Sequence, residues 1–229
     1  MYIEQTNSTN DLIRTLSVEE VWTTYQTAGR GQQGNRWEAE RGKNILMSYR
    51  LEGPIAAEKA FDITMGSSIA IAECLEHYLQ GVAIKWPNDI YVGDKKICGI
   101  LIESSLRGHS IGQAIVGIGL NVNQVQFISD APNPTSIALE TGHEVPLEPL
   151  HDQLVLQLRK WLHADASLVQ AAYRARLYRR EGYYRYRELA TGKVFEAAIA
   201  GIGEQGELLL KDKTGTIHSY LLKQIQFII

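Results

Sequence analysis

Between residues 81 and 121 the chain alternates short apolar runs with turn residues. Runs at 81–86, 90–92, 96–103 and 110–121 are separated by Pro87-Asn88-Asp89, Gly93-Asp94 and Arg107-Gly108. Asn, Asp and Gly tolerate positive φ or bond their own backbone, so these breaks predict tight turns between strands. None leaves room for the crossover helix that a parallel pair of strands needs. The block therefore reads as an antiparallel meander, which excludes a repeated βαβ array.

The flanking segments fit around that meander. Ser8, Thr9, Asn10 and Asp11 precede LIRTL and are expected to cap a short helix. Residues 18–26 and 44–51 are rich in β-branched and aromatic side chains and read as strands. A proline-free, mostly apolar stretch at 57–79 predicts a long helix, and 147–163 and 168–178 predict two amphipathic ones, the first entered through Pro146 and Pro149. After Gly182 the texture changes to five short strands, broken at Gly192-Lys193, 203–206 and Lys213-Thr214-Gly215. The expected architecture is α/β (α+β): a mixed, largely antiparallel sheet flanked by helices over residues 1–182, then a small β-barrel at 183–229.

Composition narrows the function classes. With 23 Lys and Arg against 26 Asp and Glu, the net charge is −3, which argues against bulk attraction to nucleic acid. Any anionic ligand must be met by placed cations. The start of the chain lacks a basic segment followed by an apolar one, and no run of about 18 apolar residues occurs, so neither secretion nor membrane spanning is expected. Cys74 and Cys98 lack CxxC spacing and read as small core residues, which fits a reducing cytoplasm. His77, His109, His143, His151, His163 and His218 show no i, i+4 pairing, so their spacing does not suggest a catalytic metal site.

Residues 28–37, AGRGQQGNRW, carry the spacing G-x-G-x-x-G in Gly29, Gly31 and Gly34. A dinucleotide fingerprint would continue into a helix, but only polar residues separate Gly34 from the next strand. A kinase reading draws on Val82-Ala83-Ile84-Lys85, yet that strand stands a whole helical segment away and neither HRD nor DFG is present. What survives is a loop whose glycines let backbone N–H groups approach an anion, with Arg30 and Arg36 beside them. A plain surface turn with scattered arginines is the competing reading. The segment Lys85-Trp86-Pro87-Asn88-Asp89, followed by Asp94, Lys95 and Lys96, shifts the balance, because adjacent short strands can bring two cations and a carboxylate to one place.

In order, AGRGQQGNRW, KWPNDIY, KKICGILIE and GIGLNVN resemble the catalytic core of bacterial biotin protein ligases, and Ser8-Thr9-Asn10 resembles the motif that opens that core. The tail resembles the family's SH3-like C-terminal domain more loosely. The resemblance implies an enzyme that joins biotin to ATP as biotinyl-5′-AMP and then acylates a lysine of a biotin carboxyl carrier protein. It implies Lys96 at the biotin carboxylate and acyl phosphate, with Arg30, Gly29 and Gly31 beside it. Ser8, Thr9, Asn10, Gln26 and Gly99 would line the biotin pocket. Arg36, Lys85, Gln32 and Asn88 would face ATP, and Trp37 and Asn121 would lie near the biotin chain and nucleotide. Asp89 would touch magnesium. The family's bifunctional members carry an N-terminal winged helix, so a chain opening at the core is not expected to bind DNA; a homodimer is left open. Lipoate ligases share the chemistry, but their RRxSGGG-type segment is not found; octanoyltransferases need a cysteine that Cys98 does not offer. A non-catalytic biotin- or adenylate-binding module is the remaining alternative.

The segment at 173–187 interleaves six arginines with five tyrosines and reads first as a solvated helix end and junction, then as a docking surface, and last as a nucleic-acid site. One departure from the family bears on ligand retention: Gln32 stands where some members have Arg, and Gln33 and Asn35 are also uncharged. Substituting Gln32→Arg is expected to slow adenylate release, and an unchanged off-rate would count against that role for the loop.

Overall fold

The meander is formed, in a computed structural model that describes residues 1–129 and 133–229 and leaves the Gln33 side chain aside. Strands β1 (Glu20–Thr23), β2 (Ile45–Ala56), β3 (Val82–Lys85), β4 (Asp89–Val92), β5 (Lys95–Arg107) and β6 (Ser110–Leu120) make one sheet in the order β1-β2-β6-β5-β4-β3. Every pairing between these strands is antiparallel; parallel pairing is confined to isolated bridges such as Tyr2 with Trp22 and Thr6 with Gln26. The ladder between β4 and β5 contains a bulge. Ile90 pairs with Cys98 and Tyr91 with Lys96, leaving Ile97 as an extra residue on β5.

The two faces of this sheet are covered differently. Ala114, Val116, Ile118 and Leu120 of β6 join a large core with helices α2 (Ala60–Leu75) and α4 (Leu147–Leu162). On the other face, Ile115 packs with Val21 and with Ile13 of helix α1 (Thr9–Thr15) in a smaller cluster. α1 starts without the cap expected of its polar side chains. Ser8 accepts no side-chain capping bond, and the Thr9 amide instead donates to Gln26 Oε1 at 2.6 Å, so a residue distant in sequence caps the helix. Helix α3 (Ile137–Thr141) escaped the sequence reading because five residues are too few to show a period; Ser136 Oγ caps it by accepting from the Leu139 amide at 3.1 Å.

Helix α5 (Ala166–Ala175) leads to a second sheet of β7 (Tyr184–Glu188), β8 (Val194–Ile202), β9 (Leu208–Asp212), β10 (Ile217–Tyr220) and β11 (Ile225–Phe227), in the order β10-β9-β8-β7-β11. The five strands are present as the turn residues predict, but the expected barrel is not closed. β11 adds to the β7 edge while β10 ends the opposite edge, and the two do not pair among the described residues.

Both sheets share one core cluster, which runs from Trp22 to Phe227. Polar bonds tie them as well: Trp86 Nε1 donates to the Gly206 carbonyl at 2.8 Å and Arg174 Nη2 to the Ile202 carbonyl at 3.0 Å. The Arg/Tyr segment supplies much of this junction. Tyr173 is buried and its hydroxyl donates to the Pro87 carbonyl at 2.6 Å, Tyr178 and Tyr186 are buried too, and Arg179 Nη1 donates to the Ile228 carbonyl at 2.8 Å. A junction was expected; the solvated character was not found for these three tyrosines, because their rings complete the shared core.

Helix α2 is buried almost all round, and at Gly66 it meets α4 so closely that an added Cβ would lie 2.9 Å from the Trp161 carbonyl oxygen. Alanine is the better helix former by up to about 1 kcal/mol, but backbone oxygen cannot step aside as a side chain can. Gly66→Ala is therefore expected to destabilise the fold by about 1–3 kcal/mol, read as a lower urea midpoint with an unchanged slope.

Candidate active site

A cavity of about 580 Å³ opens on the α1 face of the six-stranded sheet. Its neutral end is built by α1 and β2. Ser8, Thr9 and Asn10 are buried there, Ser48 Oγ lies 2.8 Å from Thr9 Oγ1 and 2.5 Å from Asn10 Oδ1, and Asn10 Nδ2 donates to Glu103 Oε2 at 2.7 Å. Gln26 Oε1 also accepts from Thr9 Oγ1 at 3.1 Å. These bonds fix the amide of Asn10 and the hydroxyl of Thr9 before any ligand arrives.

Trp37 forms the adjoining wall, and glycines make room for it. Gly99 of β5 sits directly opposite Gly119 of β6, and a Cβ at position 99 would come within 2.7 Å of Trp37 Cζ3. A Cβ at 119 would collide with the same indole, and one at 117 with the Asn10 amide. Glycines on one strand face mark the close approach of another group. The glycine segment itself is a small folded loop: Arg30 bridges Arg36 in antiparallel fashion, the Gly31 amide donates to the Asn35 carbonyl at 2.7 Å, and Gln32–Gly34 form a single 3-10 turn. Gly34, at φ +80°, takes a conformation that side chains avoid.

The other end of the cavity is cationic. Arg30, Arg36, Lys85 and Lys96 line it, with Asp89 and Glu38 as its lining carboxylates. Strand register brings Lys85 opposite Asp89, and the bulge at Ile97 turns Lys96 to the same face as Gly99, three residues on, where a regular strand would have sent it to the core side with Cys98. Lys96 Nζ then reaches Asp89 Oδ1 at 2.7 Å. Arg30 is held in two-pronged fashion by Asp11, with Nη1–Oδ2 at 2.6 Å and Nη2–Oδ1 at 2.7 Å, and that guanidinium holds the Asp11 carboxyl below its usual range. Lys85 and Arg36 make no ion pair among the described residues. Desolvation pulls the Lys85 ammonium below its ordinary value, opposed by Asp89 and reinforced by Lys96 and Arg179. The Tyr91 and Phe227 rings lie 5.1 and 5.2 Å from its Nζ.

Of the residues singled out by sequence, Ser8, Thr9, Asn10, Gln26, Arg30, Gly31, Gln32, Arg36, Trp37, Lys85, Asp89, Lys96, Gly99 and Asn121 all line this one cavity. Gly29 and Asn88 do not. Gly29 lies behind the wall, tied through its carbonyl to the Trp37 amide at 3.0 Å, and the buried Asn88 amide donates to the Ile100 carbonyl at 2.7 Å. Sequence reasoning missed Ser48, Glu103, Asp11 and Glu38. Glu38 accepts from the Ile128 and Ser129 amides at 2.9 and 2.8 Å and so holds the loop that places Phe127 and Ser129 in the wall. Trp37 Nε1 and Asn121 Oδ1 are buried without a partner among the described residues. Cys98 is a free, buried thiol whose pKa burial raises, so it is not poised as a nucleophile.

A neutral hydrogen-bonding end, an aromatic wall and a cationic end suit an elongated ligand with an anionic tail. Residues 2–121 match the profile of the Biotin/lipoate A/B protein ligase family. The chain belongs to this family. It is 32% identical over 193 residues to the bifunctional ligase/repressor BirA of Escherichia coli, over 82% of this chain and 60% of that one. To the biotin–[acetyl-CoA-carboxylase] ligase of Mycobacterium tuberculosis it is 30% identical over 198 residues, covering 81% of this chain and 70% of that one. The chain thus spans three fifths of the length of the BirA protein it matches. Among solved structures, a biotin protein ligase from Aquifex aeolicus in complex with biotin and ATP aligns with a TM-score of 0.78 at 22% identity, over 99% of this chain and 97% of that one. At that identity the likeness speaks for the shared fold.

The depressed pKa of Lys85 has a stability consequence. Its charged form is penalised only in the folded state, so the cost is fully present below the folded pKa and fades as pH rises toward the ordinary value of 10.5. Lys85→Met is expected to raise the Tm at pH 7 by roughly 2–4 °C, the effect of about 1 kcal/mol in a chain of this size. The difference from wild type should shrink in melts repeated at pH 10.

Proposed function

We propose that this family member is a biotin protein ligase, which forms biotinyl-5′-AMP from biotin and ATP and then transfers the biotinyl group to a lysine of a biotin carboxyl carrier protein. The observation that carries the reading is the two-ended cavity, with fixed hydroxyl and amide groups at one end and four cations at the other. A ureido ring presents two N–H donors and a carbonyl acceptor that can use the polar groups of Ser8, Thr9, Asn10 and Gln26. A dithiolane or an alkyl chain would leave those groups unpaired, a penalty that favours biotin over lipoate or octanoate.

In the first step a biotin carboxylate oxygen bonds to the α-phosphorus of ATP, and the bond to the bridging oxygen breaks to release pyrophosphate. Two anions must meet, so the residues that matter are those that offset repulsion and hold charge as it builds on phosphorus. Lys96, which lies 5.8 Å from the Trp37 ring and pairs with Asp89, has this role, with Arg30 in the same lining. Lys85 and Arg36, which carry no resident carboxylate, receive the outgoing phosphates. In the second step the lysine amine of the carrier bonds to the acyl carbon, AMP leaves with the electron pair of the C–O bond, and the amine proton passes to solvent or to a nearby carboxylate.

Magnesium belongs to this reading as a companion of ATP. No group of three His, Cys, Asp or Glu side chains converges among the described residues, so the chain offers no cage of its own. Of the two carboxylates that line the cationic end, Glu38 is taken up by the Ile128 and Ser129 amides, which leaves Asp89 for an ion carried in by phosphates and touched by one carboxylate. Such an ion would neutralise phosphate charge when bound; Asp89 would orient it. We also place the protein in the cytoplasm, where Cys74 and Cys98 stay reduced; no helix among the described residues is long and apolar enough to cross a bilayer.

Exchange of labelled pyrophosphate into ATP, run with biotin, lipoate and octanoate in parallel, tests the reading. Exchange with biotin alone is expected. Asp89→Asn and Lys96→Gln should each lower it by roughly 10²–10³-fold. No exchange with any acid, despite biotin binding, would replace the ligase with a non-catalytic binding module.

A further inference from the structure

The four cations of the cavity fall into two classes. Lys85 and Arg36 have no ion-pair partner among the described residues, whereas Lys96 and Arg30 are each held by a carboxylate. Asp89 is itself part of the cavity lining, but Asp11 is not; it reaches in from the first turn of α1 and takes both prongs of the Arg30 guanidinium, at 2.6 and 2.7 Å. A two-pronged carboxylate occupies the same pair of N–H donors that a phosphate would use.

We propose that Asp11 is an affinity-setting gate on Arg30, a carboxylate that competes with the ligand phosphate for the same two N–H donors and must be displaced before the guanidinium can hold an acyl adenylate. Three features make the exchange feasible. The Arg30 backbone is pinned by its bridge to Arg36 and by the bonds that close the loop, so only the side chain has to move. Both partners are substantially exposed, at 40% for Arg30 and 53% for Asp11, so the pair is worth little and breaks easily. Finally, the other carboxylate whose charge acts on Arg30 is already engaged: Glu103 accepts from Asn10 Nδ2 at 2.7 Å and pairs with Arg14 Nη2 at 3.2 Å. Once released from Asp11, Arg30 therefore has the cavity anion as its next partner.

The gate would lower affinity for the adenylate by the cost of breaking the Asp11 pair, and it would discriminate against weak anions that cannot repay that cost. It rests on the adenylation reading for the identity of the ligand. The test is the equilibrium binding and release rate of biotinyl-5′-AMP, with biotin alongside, for the wild-type chain, Asp11→Asn, Arg30→Gln and the double variant. Asp11→Asn is expected to bind the adenylate about two- to fivefold more tightly and release it correspondingly more slowly. That gain should vanish in the Arg30→Gln background, where there is no guanidinium to free. Equal affinity or weaker binding in Asp11→Asn would overturn the gate, as would a gain that persists without Arg30, because Asp11 would then act only as diffuse charge. A wild-type chain that binds neither biotin nor its adenylate would overturn the adenylation reading together with the gate, an outcome distinct from adenylate binding that ignores Asp11.

Discussion

The ladder that β6 makes with β2 on one side and β5 on the other is the interaction on which the rest of the molecule depends. It runs the length of β6, from Ser110 to Leu120, and it fixes which residues face which way. The even positions from Ala114 to Leu120 are committed to the core under α2 and α4; Gly117 and Gly119 are left facing α1 and the glycine loop. Because those two positions have no side chains, Asn10 and Trp37 can settle against bare backbone. The cavity is thus a shallow excavation in a rigid sheet, roofed by segments that come from elsewhere in the chain.

Electrostatics sets the second constraint. Four cations around one cavity repel one another, and the fold relieves this in three ways: it pairs two with carboxylates, leaves Arg36 in solvent, and sets Lys85 beside two aromatic rings. Phe227, one of those rings, belongs to the last strand of the C-terminal sheet. The small sheet therefore shapes the site as well as sharing a core with the larger one. Aromatic faces attract a cation without supplying a counter-charge, which keeps Lys85 available to an incoming anion.

Much of this was legible in the sequence where the signal is local. Turn residues at 87–89, 93–94 and 107–108 mark the strand ends, and nearly all the residues chosen from the motifs line one cavity. What was not legible depends on distance. Ser48, Glu103 and Asp11 read as ordinary strand and helix residues, because their partners lie many residues away and no spacing rule connects them. The closed barrel was an over-reading, since a run of short strands indicates a sheet but not whether its edges meet. One signal was present and unused: Gly117 and Gly119 alternate along a strand otherwise rich in β-branched residues, and this pattern announces a bulky neighbour on that face.

The bulge at Ile97 reaches beyond geometry. Because it adds one residue to β5, Lys96 and Gly99 share a face at a spacing that an unbroken strand cannot provide. Apart from Asp89, Lys96 and Gly99, single substitutions in this segment alter one side chain each and leave the pairing in place. A slip in register that removed the bulge without removing a residue would be different in kind, for it would send the lysine to the opposite side and exchange the cavity's central charge for a buried one. In descendants of this chain, then, the segment is held in register by its bulge as firmly as Asp89, Lys96 and Gly99 are held in identity.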